Sequence, residues 1–301
     1  MGYRRLMIEN PAELSVQRNQ LTIKTDDKMA SFPIEDLDAV LIEDRRTKWS
    51  VAVPAKLAEH GCTLILCDEK HMPCCVLSPF MQHSRQLSVL KLQLEASEPK
   101  KKRLWQSIVR QKIRNQAECL SQFGLREQAD HLQKMSLAVM SGDSSFVEGV
   151  AAAYYFRALF GEGFVRGVDE DGRNAALNYG YAILRAVIAR SLSVYGLLPC
   201  LGLHHKSELN AFNLADDLIE PFRPLVDRAV RKAVLPEDEL RPETKKMLFS
   251  LLSQEMKVND RRYSVSYAVE LYVQSLLRCF RGDADRLNVP MLTEAKQHAY
   301  E

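Results

Sequence analysis

Hydrophobic periodicity changes character near Pro79, so the two parts of this 301-residue chain follow different folding patterns. Before that point, apolar residues form short runs, at 21–23, 40–42 and 63–66, separated by turn-forming residues. Short runs at intervals of about eight to twelve residues are typical of strands in a small β-sandwich or barrel. A single helix is predicted among them over 54–59, because it opens on a proline and stops at a glycine.

Beyond His83 the apolar residues follow the helical period instead. The pattern predicts a long helix that ends near Gly124 and a helix capped by Asn174, and it favours further helices over 245–256 and 263–281. The sequence therefore predicts an α+β protein with two domains. A small N-terminal β-sandwich domain occupies residues 1–80, a larger all-α domain occupies residues 81–301, and a linker over 78–84 joins them.

A cluster of acids is the first candidate for chemistry. Asn213, Asp216, Asp217 and Glu220 lie within an arc of about 100° on a helix, and Pro221 breaks the helix directly after them. Carboxylate oxygens are the ligands that Mg²⁺ and Mn²⁺ prefer. The alternative is a solvated acidic face on a kinked surface helix, and periodicity does not choose between Asp216 and Asp217 as the partner of Glu220.

Two adjacent histidines, His204 and His205, precede this cluster and follow an apolar segment that ends at Gly202. A histidine beside carboxylates can ligate a metal or transfer a proton near neutral pH. The alternative is an ordinary buried polar contact, and the residues alone leave open which histidine faces the acids.

Upstream, Glu148 stands three residues after Ser145, the spacing of a capping box at the start of a helix. The pattern favours a capping role for Glu148. A carboxylate in that position could also coordinate a cation.

Basic residues are concentrated over 85–114, which contains nine lysines and arginines but only two glutamates. The net charge of the whole chain is only +2. Such a strip is either a solvated helical face or a surface that neutralises nucleic-acid phosphates. The seven cysteines, the absence of a leader-like apolar N-terminus and the absence of a long apolar run predict a cytoplasmic protein with reduced thiols and no membrane segment.

Four ordered segments, at 148–156, 174–181, 202–205 and 217–224, together resemble the CRISPR-associated protein 1 family, the integrase and endonuclease of spacer acquisition. The start of the chain, at 4–8, resembles members from single-effector type II systems. The resemblance extends over most of the chain. It implies an N-terminal β domain followed by an α-helical catalytic domain, in agreement with the division above.

The resemblance also implies roles for individual residues. Glu148, His205 and Glu220 match the ligands of a catalytic divalent ion, Mg²⁺ or Mn²⁺, and Asp217 matches an acid that orients this site. Some members carry aspartate at the position of Glu220. The implied partners are double-stranded DNA, a second copy in a homodimer, and a small ferredoxin-like protein that joins two dimers into a heterohexamer.

The implied activity is metal-dependent DNA cleavage and integration, in which 3′-hydroxyl ends of short DNA fragments are joined to the CRISPR repeat by transesterification. Two other classes remain as alternatives. The first is a non-catalytic DNA-binding or assembly protein with a structural metal site. The second is a hydrolase of a small phosphorylated substrate, which is disfavoured because the chain lacks a Gly-x-x-x-x-Gly-Lys phosphate loop.

Overall fold

The computed structural model of the protein describes residues 2–77, 84–168 and 171–299. They divide into two compact units, of which the first ends at Ser84 and the second comprises Arg85–Ala299. The α+β class predicted from the periodicity is confirmed, with strand-rich sheets first and a mostly helical region after them. Except for Ser84, the predicted linker lies outside the described residues.

The described part of the first unit contains two four-stranded sheets, ordered β1-β5-β7-β8 and β4-β3-β2-β6. The strands are β1 (Arg4–Ile8), β2 (Glu13–Gln17), β3 (Gln20–Lys24), β4 (Met29–Pro33), β5 (Leu37–Ile42), β6 (Lys48–Trp49), β7 (Thr63–Cys67) and β8 (Pro73–Leu77). Strands β1, β5 and β7 are parallel, and β8 is antiparallel to β7. All six residues of β5 are buried, and five of them are apolar, as expected for a strand covered on both faces. The sixth, Asp38, pairs with Arg5 over 2.6 Å.

The core of this unit is made of side chains from both sheets and from the predicted helix, α1 (Ala52–Glu59). Leu14, Leu21, Ile34 and Leu57 are almost completely buried within it. Burial of each such side chain stabilises the fold by roughly 1.5–3 kcal/mol. The periodic apolar residues of the N-terminal sequence thus form one continuous core.

Nine helices form most of the described part of the second unit. They are α2 (Gln86–Glu95), α3 (Glu98–Gln122), α4 (Arg126–Ala138), α5 (Val147–Phe160), α6 (Gly172–Val194), α7 (Asn213–Ile219), α8 (Arg223–Ala233), α9 (Pro242–Ser250) and α10 (Val265–Arg281). Helix α6 is buried on most sides because α7, α8, α9 and α10 pack around it. Asn174 does not cap this helix, since Asp171 accepts a hydrogen bond from the Arg173 N–H at its start.

The second unit also contains a three-stranded antiparallel sheet that the sequence analysis did not predict. Its strands are β9 (Gln254–Val258), β10 (Arg261–Ser264) and β11 (Met291–Gln297), in the order β10-β9-β11. The helix predicted over 245–256 is wrong in its second half, because α9 ends at Ser250. Asn259 and Asp260 both have positive φ angles, as a two-residue hairpin turn requires, and the chain therefore reverses there.

Within the described residues, no helix is both long enough and apolar enough to cross a membrane. Of the cysteines, Cys62, Cys67, Cys119 and Cys279 are buried, and Cys74, Cys75 and Cys200 are exposed.

Candidate active site

The acidic cluster lies where two helices meet through a tight turn. Helix α7 ends at Ile219, a single 3₁₀ turn covers Glu220–Phe222, and α8 begins at Arg223. Pro221 lacks an N–H group, so the α-helical hydrogen-bond pattern cannot continue through it. Asp217 and Glu220 are buried, which rules out the solvated acidic face that the sequence left open.

A lysine brings the two glutamates of the predicted site together. The Nζ atom of Lys112, on α3, lies 2.6 Å from Oε1 of Glu148 on α5 and 2.5 Å from Oε2 of Glu220. Burial acts to lower the pKa of Lys112, but the charges of Glu220 and Glu148 outweigh it and hold this pKa above its ordinary value. The ammonium therefore stays charged between the two carboxylates.

Arg223 supplies a second positive charge to Glu220. Its Nε atom donates to Oε1 of Glu220 over 2.8 Å, and its guanidinium lies 4.5 Å from the centre of the Tyr181 ring. Burial acts to raise the pKa of Glu220, but Arg223 and Lys112 together overcome this effect and lower it to about 2. Glu220 is consequently ionised at neutral pH in spite of its burial.

Asp217 organises the segment that carries the histidines. Its carboxylate accepts hydrogen bonds from the backbone N–H groups of Leu203, His204 and His205, and it lies 2.7 Å from Nδ1 of His205. An ionised carboxylate only accepts hydrogen bonds, so Nδ1 carries the proton and Nε2 is left for another partner. This hydrogen bond raises the pKa of His205 against the effect of burial, with the charges of Asp217 and Glu220 adding to it.

Gly202 permits this close packing of the segment against Asp217. A Cβ atom at residue 202 would lie 2.3 Å from the carbonyl oxygen of His205 and 2.9 Å from Oδ2 of Asp217. Such distances are well below van der Waals contact, and only glycine fits.

The structure also distinguishes between the two histidines. His204 stacks on Trp105, with ring centres 4.4 Å apart and planes 3° from parallel. His205 contacts the acid and lines a cavity of about 440 Å³, to which Lys101 and Lys206 also contribute. His205 is therefore the histidine that faces the acidic cluster, and Asp217 rather than Asp216 is its partner.

The capping role predicted for Glu148 is wrong. Helix α5 begins at Val147 after Phe146, whose φ angle of 54° is left-handed, and no Ser145 side chain caps it. The carboxylate of Asp143 instead accepts from the N–H groups of Val147 and Glu148, at 3.0 Å each. The side chain of Glu148 is thereby left to contact Lys112.

The predicted ligands are only partly assembled around one point. Glu148 and Glu220 converge on the Lys112 ammonium, and His205 is within the electrostatic influence of Glu220. Among the described residues, no group of three or more histidine, cysteine, aspartate or glutamate side chains is arranged to hold a metal ion. Two converging carboxylates nevertheless suit a hard divalent cation, because they already balance a positive charge at this point.

A histidine held through one ring nitrogen by a carboxylate is the usual arrangement for a metal-ligating imidazole. His205 and Asp217 have this arrangement, with the second ring nitrogen of His205 available. The donor set of Glu148, Glu220 and His205 therefore fits a divalent ion in its chemistry.

Sequence reasoning placed Lys112 in the basic strip and missed its part in the site. A helical wheel contains the signal, because Lys112 falls on the apolar face of α3 formed by Trp105, Ile108 and Val109. A lysine in that position is buried and needs an anionic partner.

A second buried network adjoins the site. The hydroxyl of Tyr181 donates to Oδ1 of Asp227, and both side chains are buried. Burial raises the pKa of Asp227 to about 6, although the Tyr181 hydroxyl and the Arg223 charge act to lower it. Tyr181 thus connects Asp227 to the arginine that holds Glu220.

Comparison with known proteins gives a consistent result. Residues 6–243 match the family model described as CRISPR associated protein Cas1. The chain is 44% identical over 305 residues to the CRISPR-associated endonuclease Cas1 of Neisseria meningitidis serogroup C, with all of both chains covered. It is 24% identical to a CRISPR-associated endonuclease Cas1 of Francisella tularensis subsp. novicida, over 90% of this chain and 93% of that protein.

Solved structures share the fold. A casposase bound to its integration product superposes with a TM-score of 0.76 at 19% identity, over 95% of this chain and 93% of the casposase. A CAS1 protein from Thermotoga maritima gives a TM-score of 0.74 at 17% identity, over 93% and 97% of the two chains. At these identities the likeness shows the fold alone.

The 44% identical endonuclease and the shared fold place the chain in the nuclease class of enzymes, with a β-sheet unit before a mostly helical unit that carries the acidic cluster. The family match and the Neisseria relative narrow this class to one family. The chain belongs to the Cas1 family of CRISPR-associated endonucleases, as its sequence motifs predicted.

Proposed function

We propose that the chain is a divalent-metal-dependent DNA endonuclease and integrase of CRISPR adaptation. The observation that carries this proposal is the convergence of Glu148 and Glu220 on one positive charge beside the Asp217–His205 pair. Glu148, Glu220 and His205 would hold Mg²⁺ or Mn²⁺. Such an ion, when bound, supplies a Lewis acid that stabilises negative charge developing on a phosphate.

The reaction exchanges one phosphodiester for another. The 3′-oxygen of a short DNA fragment forms a bond to a phosphorus atom of the repeat, and the bond from that phosphorus to the departing strand breaks. The departing strand leaves as a 3′-hydroxyl end, so no external energy source is required. Asp217 fixes the ring of His205 through Nδ1, and Arg223 keeps Glu220 in place and ionised.

Charge balance argues against the alternative of a purely structural metal. Lys112 and Arg223 already offset the charges of Glu148 and Glu220. The fold therefore does not need an ion to relieve repulsion between the two carboxylates. An ion held by Glu148, Glu220 and His205 would therefore serve chemistry rather than folding.

The partners are proposed from solved complexes whose chains share this fold. Solved structures of this fold include one entitled Cas6-RT-Cas1--Cas2 complex, with a TM-score of 0.72 at 20% identity over 97% of this chain and 36% of that chain. Another is a TtCas1–DNA complex with a TM-score of 0.56 at 16% identity. We propose that this chain binds double-stranded DNA as a homodimer, and that a small ferredoxin-like Cas2-type protein joins two dimers into a heterohexamer.

The test is a strand-joining assay with the purified protein, the small partner, Mn²⁺, a duplex with 3′-hydroxyl ends and a supercoiled plasmid that carries a repeat. Glu148→Ala and His205→Ala are expected to reduce joining about a hundredfold or more, and Asp217→Asn roughly 10–100-fold. Matched controls are Glu127→Ala, an exposed glutamate on α4, and His204→Ala, the neighbour that stacks on Trp105.

The controls should join strands at close to the wild-type rate. Joining by Glu148→Ala or His205→Ala at the wild-type rate would refute the assignment of the site. Unfolding of the wild-type protein on chelation, seen by circular dichroism, would instead favour the structural-metal alternative.

A further inference from the structure

Helix α3 has a second polar face, distinct from the one that carries Lys112. Arg103, Arg110 and Arg114 lie within an arc of about 40° on this helix, and Lys112 lies about 180° from Arg103. Lys112 reaches the acidic site, whereas the guanidinium of Arg110 donates to the backbone oxygen of Val139 over 2.8 Å. The two faces of α3 therefore serve different surroundings.

The arginine face borders a cleft of about 490 Å³. Its lining includes the polar residues Arg103, Ser107, Arg110, Arg114, Asp285 and Arg286. Arg286 comes from the segment after α10, so two distant parts of the second unit contribute positive charge. Four guanidinium groups face a single carboxylate, and the cleft is strongly positive.

Among the described residues that line the cleft, four arginines outnumber the single carboxylate of Asp285. In the part of the chain that the structure describes, none of these four arginines forms an ion pair. Nε of Arg110 is buried and has no hydrogen-bond partner among the same residues. Clustered like charges repel, by roughly 1 kcal/mol at about 4 Å in water, and a buried N–H without an acceptor is unfavourable. An anionic ligand would relieve both effects.

The chemistry and the length of the cleft indicate the kind of anion. Guanidinium groups form paired hydrogen bonds with phosphate oxygens. The row from Arg103 to Arg114 extends about 16 Å along the helix. That length spans several phosphates on one strand of a duplex, and it exceeds what a single phosphate group needs.

We propose that this cleft binds the phosphodiester backbone of DNA as a second contact surface, separate from the acidic site. The choice of DNA as the polyanion rests on the proposed function. The arginines contact phosphates and therefore hold the duplex in register without reading its sequence. Within the basic strip over 85–114, Arg103, Arg110 and Arg114 contact phosphates, whereas Lys112 belongs to the acidic site.

The experiment compares two triple variants that change the net charge equally. The cleft variant replaces three exposed arginines and keeps Arg110, whose hydrogen bond is structural: Arg103→Gln, Arg114→Gln and Arg286→Gln. The control variant replaces three exposed basic residues elsewhere in the second unit: Arg126→Gln, Lys134→Gln and Arg261→Gln. Binding of a fluorescent 30-base-pair duplex to the full chain is measured by anisotropy over a series of salt concentrations, with inorganic phosphate as a separate probe.

The cleft variant is expected to bind the duplex roughly tenfold or more weakly at 0.1 M salt, with a slope of log K against log salt reduced by about 2.7. The control variant should keep the wild-type slope. Equal weakening by both variants, or by neither, would overturn the proposal. Loss of inorganic phosphate binding with an unchanged duplex slope would assign the cleft to a small phosphorylated ligand and would also overturn it.

Failure of this inference can be told apart from failure of the proposed function. If the wild-type protein does not bind the duplex, the proposed function fails, and the cleft proposal fails with it. If the wild-type protein and the cleft variant bind equally well, only the cleft proposal fails. At saturating DNA the cleft variant should still join strands, whereas Glu148→Ala should not.

Discussion

Replacement of Lys112 by methionine tests the central interaction of the site. Methionine keeps the length and the apolar stem of lysine but removes the ammonium between Glu148 and Glu220. The fall of the Glu220 pKa from 4.5 to about 2 corresponds to about 3 kcal/mol, shared between Arg223 and Lys112. Removal of one partner from a buried ion pair costs about 3–5 kcal/mol. Because Arg223 remains, we expect Lys112→Met to lower the free energy of unfolding at pH 7 by about 3 kcal/mol.

The loss of unfolding free energy caused by Lys112→Met depends on pH. The folded pKa of Glu220 lies below its unfolded value, so its stabilising effect is complete above about pH 4.5 and disappears as the pH falls towards 2. The difference between the wild-type protein and Lys112→Met should therefore be largest at pH 7 and shrink below about pH 4.5.

Urea denaturation at several pH values measures both effects, with Lys134→Met, an exposed lysine on α4, as the matched control. The control should stay within about 0.5 kcal/mol of the wild type. Equal stability of Lys112→Met and the wild type at pH 7, or a difference that stays constant down to pH 3, would refute the role given to this ammonium.

Two further substitutions test the surroundings of the site. Gly202→Ala places a methyl group 2.3 Å from the His205 carbonyl oxygen. It should lower the unfolding free energy by about 1–3 kcal/mol and abolish strand joining. The control Gly149→Ala, with open space around its Cβ, should be neutral or stabilising in the same denaturation assay. The folded pKa of Asp227 lies above its unfolded value, so the wild-type protein should lose about 3 kcal/mol of unfolding free energy as the pH rises from about 4 to about 6. Asp227→Asn has no such titration, and its unfolding free energy should not fall over this pH range. A wild-type protein with no such loss in urea titrations would contradict the buried position of Asp227.

Local signals account for the parts of the fold that could be predicted. The long helix α3 follows from its apolar period, with Pro99 in the first turn and Gly124, at φ +79°, after its last turn. The break after Glu220 follows from Pro221, whose ring excludes a normal helix at this point. Each of these features depends on a few neighbouring residues.

Features that depend on distant residues could not be predicted in this way. Strand β11 joins the local hairpin of β9 and β10 from a distant part of the chain, and each strand alone has too short an alternation to stand out. Lys112 sits on an apolar helix face, but the two glutamates that it contacts lie 36 and 108 positions further along the sequence. The start of α5 depends on the left-handed backbone of Phe146, which a capping-box pattern does not reveal.

The stacking of Trp105 on His204 gives the protein an internal optical reporter. The chain has two tryptophans, and the other, Trp49, lies in a strand of the first unit. Indole fluorescence responds to the ring that stacks against it, and the backbone of His204 is held by the same aspartate that orients His205. A Trp49→Phe variant would leave a single emission signal, so rearrangement of the histidine segment during ligand binding could be followed in a stopped-flow instrument without an attached dye.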